Sequence, residues 1–241
     1  MPIILDGAVF LVTRNLRTAL RHLCKELSGS LVWIDAICIN QFDDEEKSWQ
    51  VEMMSAIYAT AERVLVWLGP AAGRSDYLMD KLEALGEEGA RRGIGLLSED
   101  DISEVRTSVA NVVAGQERLS SDDSIEAWIA RFSLNDTQES KLPLQPLLEL
   151  MGRPWWQRVW VVQELTVARR AVFACGAKRI PVEILDAALK VALCFWHATI
   201  VLMASFADLD IIPNIFTAKS RRLPPNILPG DKHPFINASQ F

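Results

Sequence analysis

The stretch LVWIDAICI, residues 31–39, is the part of the sequence on which the predicted fold depends. Its residues are almost continuously apolar, which is typical of a strand covered on both faces in a parallel sheet. An amphipathic helix is predicted over residues 45–61, and a second apolar run, RVLVWLG, occupies residues 63–69. Strand, helix and strand in this order indicate a right-handed crossover that places both strands in one parallel sheet.

The segments before and after this unit continue the alternation of strands and helices. GAVFLVT, residues 7–13, predicts a short strand, and leucines at helical spacing predict a helix over residues 16–27. Further along the chain, a helix is predicted over residues 154–168, and RAVFACG, residues 170–176, predicts another strand. The predicted fold class is therefore α/β, with a parallel sheet and helices on both of its faces.

Composition divides the chain into a domain, an insertion and a tail. Residues 1–206 are predicted to form the α/β domain. It is interrupted at about residues 70–145 by segments rich in glycine, serine and charge, which separate short amphipathic stretches. This pattern is typical of a helical insertion whose charges face solvent. Five prolines within residues 207–241 predict a tail that is poorly ordered.

Charge and cysteine content exclude several kinds of partner and site. The net charge of −6, without a stripe of lysine or arginine, argues against nucleic acid as a partner. The four cysteines, at positions 24, 38, 175 and 194, lack the close spacing of zinc and redox motifs. They are therefore predicted to be reduced thiols of a cytoplasmic protein, and no metal site is predicted.

One apolar run, residues 191–207, is just long enough to span a bilayer. His197 interrupts it, and no cluster of lysines or arginines flanks it closely. A helix buried within the protein is therefore predicted in place of a membrane span. The first ten residues also lack the basic and apolar segments of a secretory signal.

Polar residues near the carboxyl ends of the predicted strands are the candidates for a site, because ligands bind there in open parallel sheets. Asp35 and Asn40 belong to one such end. In the helix predicted after Pro154, Trp156, Trp160 and Glu164 recur every four residues, which predicts one stripe carrying two indoles and an acid. The sequence has no phosphate-binding loop, no zinc helix with paired histidines and no nucleophile elbow.

Three blocks of the sequence together resemble the fungal heterokaryon incompatibility (HET) domain. They are WIDAICINQ at residues 33–41, EKSWQVEMMSAIYATAERVLVWLG at 46–69 and RPWWQRVWVVQEL at 153–165. The resemblance implies a signalling module in fungal nonself recognition, a family role in which incompatible fusion triggers programmed cell death. It also implies that the module acts through self-association and contacts with partner proteins, without a cofactor.

HET domains usually open with a strand block similar to Tyr-x-Ala-Leu-Ser-Tyr-x-Trp-Gly, and this chain begins just after it. The resemblance thus implies that the N-terminal strand of the family is missing. A central sheet without that strand would leave unpaired backbone groups, which is costly. We therefore expect that GAVFLVT at residues 7–13 partly fills the gap, or that the chain is a fragment of marginal stability.

The HET family is similar to Toll/interleukin-receptor (TIR) domains, which implies a five-stranded, flavodoxin-like sheet. In TIR domains that cleave NAD, the catalytic glutamate lies four residues after a tryptophan and is followed by leucine. Trp160, Glu164 and Leu165 match that spacing. The resemblance therefore implies, as an alternative function, an NAD glycohydrolase with Glu164 as catalytic acid. NAD would then be the substrate, and Asp35, Asn40 and Trp160 are the candidates for its pocket.

A structural role for the same acids competes with catalysis. A glutamate on a helix most often forms an ion pair or a hydrogen bond, and nearby cations are available at Arg153, Arg158, Arg169 and Arg170. An acid at the end of a strand commonly accepts N–H bonds from the following loop, which is the structural alternative for Asp35. The sequence leaves both interpretations open.

Overall fold

The computed structural model describes residues 1–5, 7–118, 123–134, 142–158, 161–203 and 236–237. The chain divides into two compact units. Unit 1 contains the described residues of 1–71, 153–177 and 221–241, and unit 2 contains those of 72–152 and 178–220. The predicted tail, apart from residues 236 and 237, lies outside the described residues. The predicted domain boundaries at residues 206 and 207 stay a prediction.

The described elements mix short strands with longer helices, so the chain is of mixed α/β class. The strands are β1 Pro2–Leu5, β2 Ala8–Leu11, β3 Leu31–Val32, β4 Val64–Gly69, β5 Ala171–Cys175, β6 Lys178–Pro181 and β7 Ile236–Asn237. The α-helices are α1 Arg14–Leu27, α2 Asp35–Cys38, α3 Asp44–Thr60, α4 Ser75–Arg91, α5 Glu99–Val113, α6 Ile125–Leu134, α7 Leu144–Met151, α8 Val161–Val167 and α9 Val182–Met203. Short 3-10 helices cover Ile94–Leu96 and Pro154–Gln157.

A buried parallel pair of strands forms the centre of unit 1. β4 pairs with β5 in parallel, with Val64 opposite Ala171 and Val66 opposite Phe173. Both strands are almost entirely apolar and mostly buried, as strands covered on two faces must be. The strands predicted at residues 63–69 and 170–176 are therefore confirmed, and so is their parallel direction. The flavodoxin-like order of a five-stranded sheet stays a prediction.

The strand predicted over residues 31–39 is wrong beyond Val32. Within residues 31–39 only β3 is paired as a strand, and its partner is β7, antiparallel, in a separate two-stranded sheet. The helical turn α2 then begins at Asp35, whose carboxylate accepts the N–H of Ala36 at 2.7 Å, while the sulfur of Cys38 accepts the N–H of Ile34 at 3.4 Å. Polar side chains thus give the backbone local partners that compete with strand pairing. A continuous apolar run alone does not distinguish these outcomes.

The N-terminal segment GAVFLVT contains the predicted strand, as β2, but this strand does not take the expected place in the sheet. β2 pairs antiparallel with β1, from Pro2 opposite Leu11 to Leu5 opposite Ala8, and the two strands form a sheet of their own. GAVFLVT therefore does not fill a gap beside β4. Gly7 has a φ of 77°, a left-handed conformation suited to a tight hairpin turn, and pairing across so short a loop costs little entropy.

Unit 2 is a helical assembly around α9. The amphipathic stretches predicted near residues 76–85, 101–113 and 124–132 are helices, as predicted. A Cβ added at Gly86 in α4 would lie 2.0 Å from the carbonyl oxygen of Ile184 in α9, so glycine permits the close approach of these two helices. The N-terminal two-thirds of α9 is largely buried within the protein. None of the helices in the described part of the chain is long and apolar enough for a membrane span.

Candidate functional site

The candidate site in unit 1 is built around Glu164 in α8. Only 6% of this side chain is exposed, which is unusual for a glutamate. Its Oε1 atom is buried and has no hydrogen-bond partner in the described part of the chain. Burial disfavours a carboxylate unless other groups compensate for the loss of water. The chemistry of the site therefore depends on which groups surround Glu164.

Arg158 links Glu164 to Asp35. Its Nη2 atom lies 3.5 Å from Oε1 of Glu164 and 3.5 Å from Oδ2 of Asp35, so one nitrogen contacts both acids. The contact with Asp35 has the geometry of a weak hydrogen bond. The contact with Glu164 is an ion pair without a hydrogen bond to Oε1. Arg158 and Asp35 are 44% and 43% exposed, so the cluster extends from solvent to a buried acid.

Aromatic side chains form the buried wall of this cluster. Tyr58, in α3, and Trp155 each form a side-chain hydrogen bond with the carboxylate of Glu164. Trp33 packs edge-on against Tyr58, with 5.8 Å between the ring centroids. The indole nitrogen of Trp33 is buried and, among the described residues, has no hydrogen-bond partner. The acid therefore lies among aromatic rings, two of which donate hydrogen bonds to it.

The surroundings of Glu164 make its charged form less favourable than it is in water. Burial is the main cause that raises the pKa of this carboxyl group, and the negative charge of Asp35 raises it further. Arg158 and the hydrogen bonds from Trp155 and Tyr58 oppose the shift but do not cancel it. The pKa of Tyr58 is also raised, chiefly by burial and then by the charge of Glu164. Tyr58 is therefore a neutral hydrogen-bond donor at physiological pH.

Known proteins give this arrangement a context. The sequence matches the family described as "Heterokaryon incompatibility protein (HET)" over residues 2–164, more than half of the chain. The chain belongs to the HET family. It is similar to "Heterokaryon incompatibility protein 6, OR allele" of Neurospora crassa, with 34% identity over 194 residues. The similarity covers 76% of this chain but only 27% of that protein. No solved structure matches the chain.

The stripe of two tryptophans and an acid predicted in this HET domain is wrong as a single helix. Residues 154–157 form a 3-10 helix, and Arg158, with φ −79° and ψ 133°, is extended and separates it from α8. Trp156 instead stacks on Phe173 of β5, with centroids 5.4 Å apart and planes inclined by 15°. Trp160 lies outside the described residues. Helical spacing fails here because the helix that contains Trp156 ends at Gln157 and Arg158 is extended.

The other predicted site residues of the HET domain differ in position. Asp35 and Glu164 contact the same nitrogen of Arg158. Asn40 is exposed, and its side chain accepts the N–H of Phe42 at 3.2 Å, a contact that shapes its own loop. A role of either residue in binding a nucleotide stays a prediction.

Two of the arginines predicted as structural partners of Glu164 make different contacts. Arg158 forms the ion pair with the acid. Arg153 instead donates from Nη1 to the carbonyl oxygens of Leu68 and Pro70, at 3.0 Å each. It thus holds the chain where β4 ends at Gly69, a glycine with a φ of 115°. The geometry of Arg158 agrees with the structural interpretation of Glu164 as well as with the catalytic one.

Sequence reasoning missed Tyr58 and Trp155 as members of the site. Tyr58 lies in the amphipathic helix predicted over residues 45–61, where it follows apolar residues such as Met54 at helical spacing. A phenol on an otherwise apolar stripe is a signal of a polar site, because a buried hydroxyl needs a hydrogen-bond partner.

Within the described ranges, no group of three or more His, Cys, Asp and Glu residues is arranged to hold a metal ion.

Proposed function

We propose that this HET domain is a signalling module in fungal nonself recognition, which acts in the cytoplasm by self-association and by contacts with partner proteins. The relative named above carries heterokaryon incompatibility in its name. Four free cysteines agree with a reducing compartment. The observation that carries the proposal is an exposed apolar surface on the N-terminal hairpin.

That surface, the hairpin face, consists of Pro2, Ile4, Val9 and Leu11. Pro2 is opposite Leu11 and Ile4 is opposite Val9, so alternation along the strands puts all four side chains on one side of the hairpin. All four are exposed, and the exposed fractions of Val9 and Leu11 are 69% and 82%. An exposed apolar surface of this kind is typical of a protein-binding site. The hairpin face also lacks the charges that discourage strands from pairing with another chain.

Sedimentation velocity over a range of concentrations tests the hairpin face. We expect the wild-type chain to self-associate and the double variant Val9→Lys/Leu11→Lys to do so at least about tenfold more weakly, because two buried charges would oppose the contact. Leu96→Lys is the matched control, since Leu96 is an exposed apolar residue of unit 2. In a fungal host, the double variant should also lose the cell-death response that the wild type and the control trigger. Equal association of all three proteins would remove the hairpin face from the proposal.

A second candidate function is hydrolysis of NAD, which the buried acid favours. The reaction consumes water and NAD and releases nicotinamide, ADP-ribose and a proton. A carboxylate with an unpaired oxygen, such as Oε1 of Glu164, would stabilise the positive charge that develops on the ribose as nicotinamide leaves. Its aromatic surroundings exclude water, which strengthens that interaction.

Incubation of the purified chain with NAD, followed by chromatography of nicotinamide, tests the second candidate. We expect Glu164→Gln to abolish release and Glu45→Gln, which changes an exposed glutamate of α3, to leave it intact. Release that survives Glu164→Gln would exclude Glu164 as the catalytic acid. If the wild type releases no nicotinamide while cell death depends on the hairpin face, the signalling function stands alone.

A further inference from the structure

The charges around Glu164 do not balance. Asp35 and Glu164 share one cation, Arg158, and both contacts use the same Nη2 nitrogen at 3.5 Å. These three groups are also the charges that act on Tyr58 at the centre of the cluster. When both acids are ionised, the cluster therefore carries a net charge of −1. A second cation would convert the shared contact into two separate ion pairs.

Oε1 of Glu164, the acceptor without a hydrogen bond among the described residues, is also buried. Oε1 of Glu164 has no hydrogen bond within the described ranges, although 94% of this side chain is removed from solvent. A buried acceptor without a donor is costly, and a charged one more so. The charge of the cluster and the missing donor thus favour the same kind of ligand, a cation that carries N–H groups.

We propose that this cluster binds an organic cation that carries N–H donors, an ammonium or guanidinium group. The ligand pairs with Glu164 and donates to Oε1, and Arg158 then pairs with Asp35 alone. Asp35 and Arg158 are both about half exposed, so the ligand approaches Glu164 from their side. The site follows from charge balance; it uses the same Glu164 as the second candidate function, but it requires no cleavage of NAD.

Titration calorimetry with methylguanidinium and propylammonium tests the chemistry of the ligand. We expect saturable binding of both, weaker binding of tetramethylammonium, which has a charge but no N–H donor, and none of urea, the neutral counterpart of guanidinium. Glu164→Gln should weaken methylguanidinium binding at least about tenfold, as the loss of one charged hydrogen bond implies. Glu45→Gln, which removes an exposed charge from the same unit, should leave the affinity unchanged within about twofold. Equal binding by Glu164→Gln and the wild type would overturn the proposal, and so would equal affinities for methylguanidinium and tetramethylammonium.

Two further variants test the competition with Arg158. Arg158→Gln removes the internal cation and should tighten methylguanidinium binding, whereas Asp35→Asn frees Arg158 for Glu164 and should weaken it. The double variant Arg158→Gln/Glu164→Gln should lose the gain in methylguanidinium affinity. This result would show that Arg158 competes with the ligand at Glu164, whereas a general effect of charge would persist in the double variant. Thermal melts establish that each variant is folded, and Asp35→Asn, at an exposed position, keeps the test decisive if Arg158→Gln does not fold. Weaker binding of methylguanidinium by Arg158→Gln, or tighter binding by Asp35→Asn, would contradict the proposal.

One experiment separates the two sources of such a cation. A short peptide with one arginine is compared with methylguanidinium and with the same peptide carrying citrulline. Tighter binding of the arginine peptide than of methylguanidinium assigns the head group to a protein side chain, and equal affinity assigns it to a free small molecule. Binding of the citrulline peptide as tight as that of the arginine peptide would contradict the proposal, because citrulline has no charge.

Discussion

Replacement of Arg158 by glutamine gives the sharpest test of the buried acid. Arg158 is the cation in contact with Glu164, and the acid is only 6% exposed. Removal of one partner from a fully buried ion pair costs about 3–5 kcal/mol, because the remaining charge is left without compensation. Arg158 is 44% exposed and lies at 3.5 Å, so solvent already weakens the interaction. We therefore expect a loss of about 1–2 kcal/mol in the free energy of unfolding at pH 7.

The raised pKa of Glu164 determines whether the free energy of unfolding rises or falls with pH. The folded-state pKa of Glu164 is raised above its ordinary value, so between those two pKa values the folded state binds more protons than the unfolded state. The contribution of Glu164 to stability is then most favourable at low pH and falls as the pH rises through this window. Arg158→Gln raises the folded-state pKa further, so the window extends upward and the loss at neutral pH increases by about 1.4 kcal/mol per pKa unit.

Urea denaturation between pH 4 and pH 8 measures both effects. The comparison of Arg158→Gln with Arg158→Gln/Glu164→Gln isolates Glu164, because the other acids are the same in both proteins. The single variant should lose stability relative to the double variant as the pH rises, and the two curves should converge at low pH. A constant difference between the curves, or a single variant as stable as the wild type at pH 7, would refute this account of the buried acid.

Two further predictions concern the stability of the units. Gly86→Ala should destabilise unit 2 by about 3 kcal/mol, because its Cβ would lie 2.0 Å from the carbonyl oxygen of Ile184. Gly95→Ala, where a Cβ meets nothing within 4 Å, should change the free energy of unfolding by less than about 0.5 kcal/mol. Asp43→Ala should cost about 1 kcal/mol in urea denaturation, because Asp43 accepts two N–H bonds at the start of α3. Asp44→Ala, which removes an exposed ion pair, should cost about half as much or less, and equal losses would contradict the capping role.

The helices and the central strands could be predicted because their signals are local. α1 and α3 follow from apolar spacing along the chain, and Asp43 caps the start of α3. β4 and β5 are short apolar runs next to helices, and this order favours parallel pairing. HET family membership followed from motifs in the sequence and is confirmed by the match over residues 2–164.

Part of the candidate site could also be predicted. Glu164 and Asp35 were identified from their types and positions, and Arg158 was among the cations considered for an ion pair. The contact between Arg158 and Asp35 spans 123 positions of the sequence, so no local pattern predicts which arginine reaches the acids. Tyr58 was missed because its stripe on α3 predicts burial but does not identify the buried acid that its hydroxyl contacts.

The sequence by itself determined the mixed α/β class and the parallel pair β4 and β5, and it identified Glu164 and Asp35 as candidate site residues. Only the tertiary structure decided that LVWIDAICI stops being a strand after Val32, since β3 pairs with β7, about 200 residues further along the chain. It also decided that one arginine would serve two acids. Propensity and periodicity act over a few residues, whereas strand pairing and the charge of a buried carboxylate depend on groups that only folding brings together.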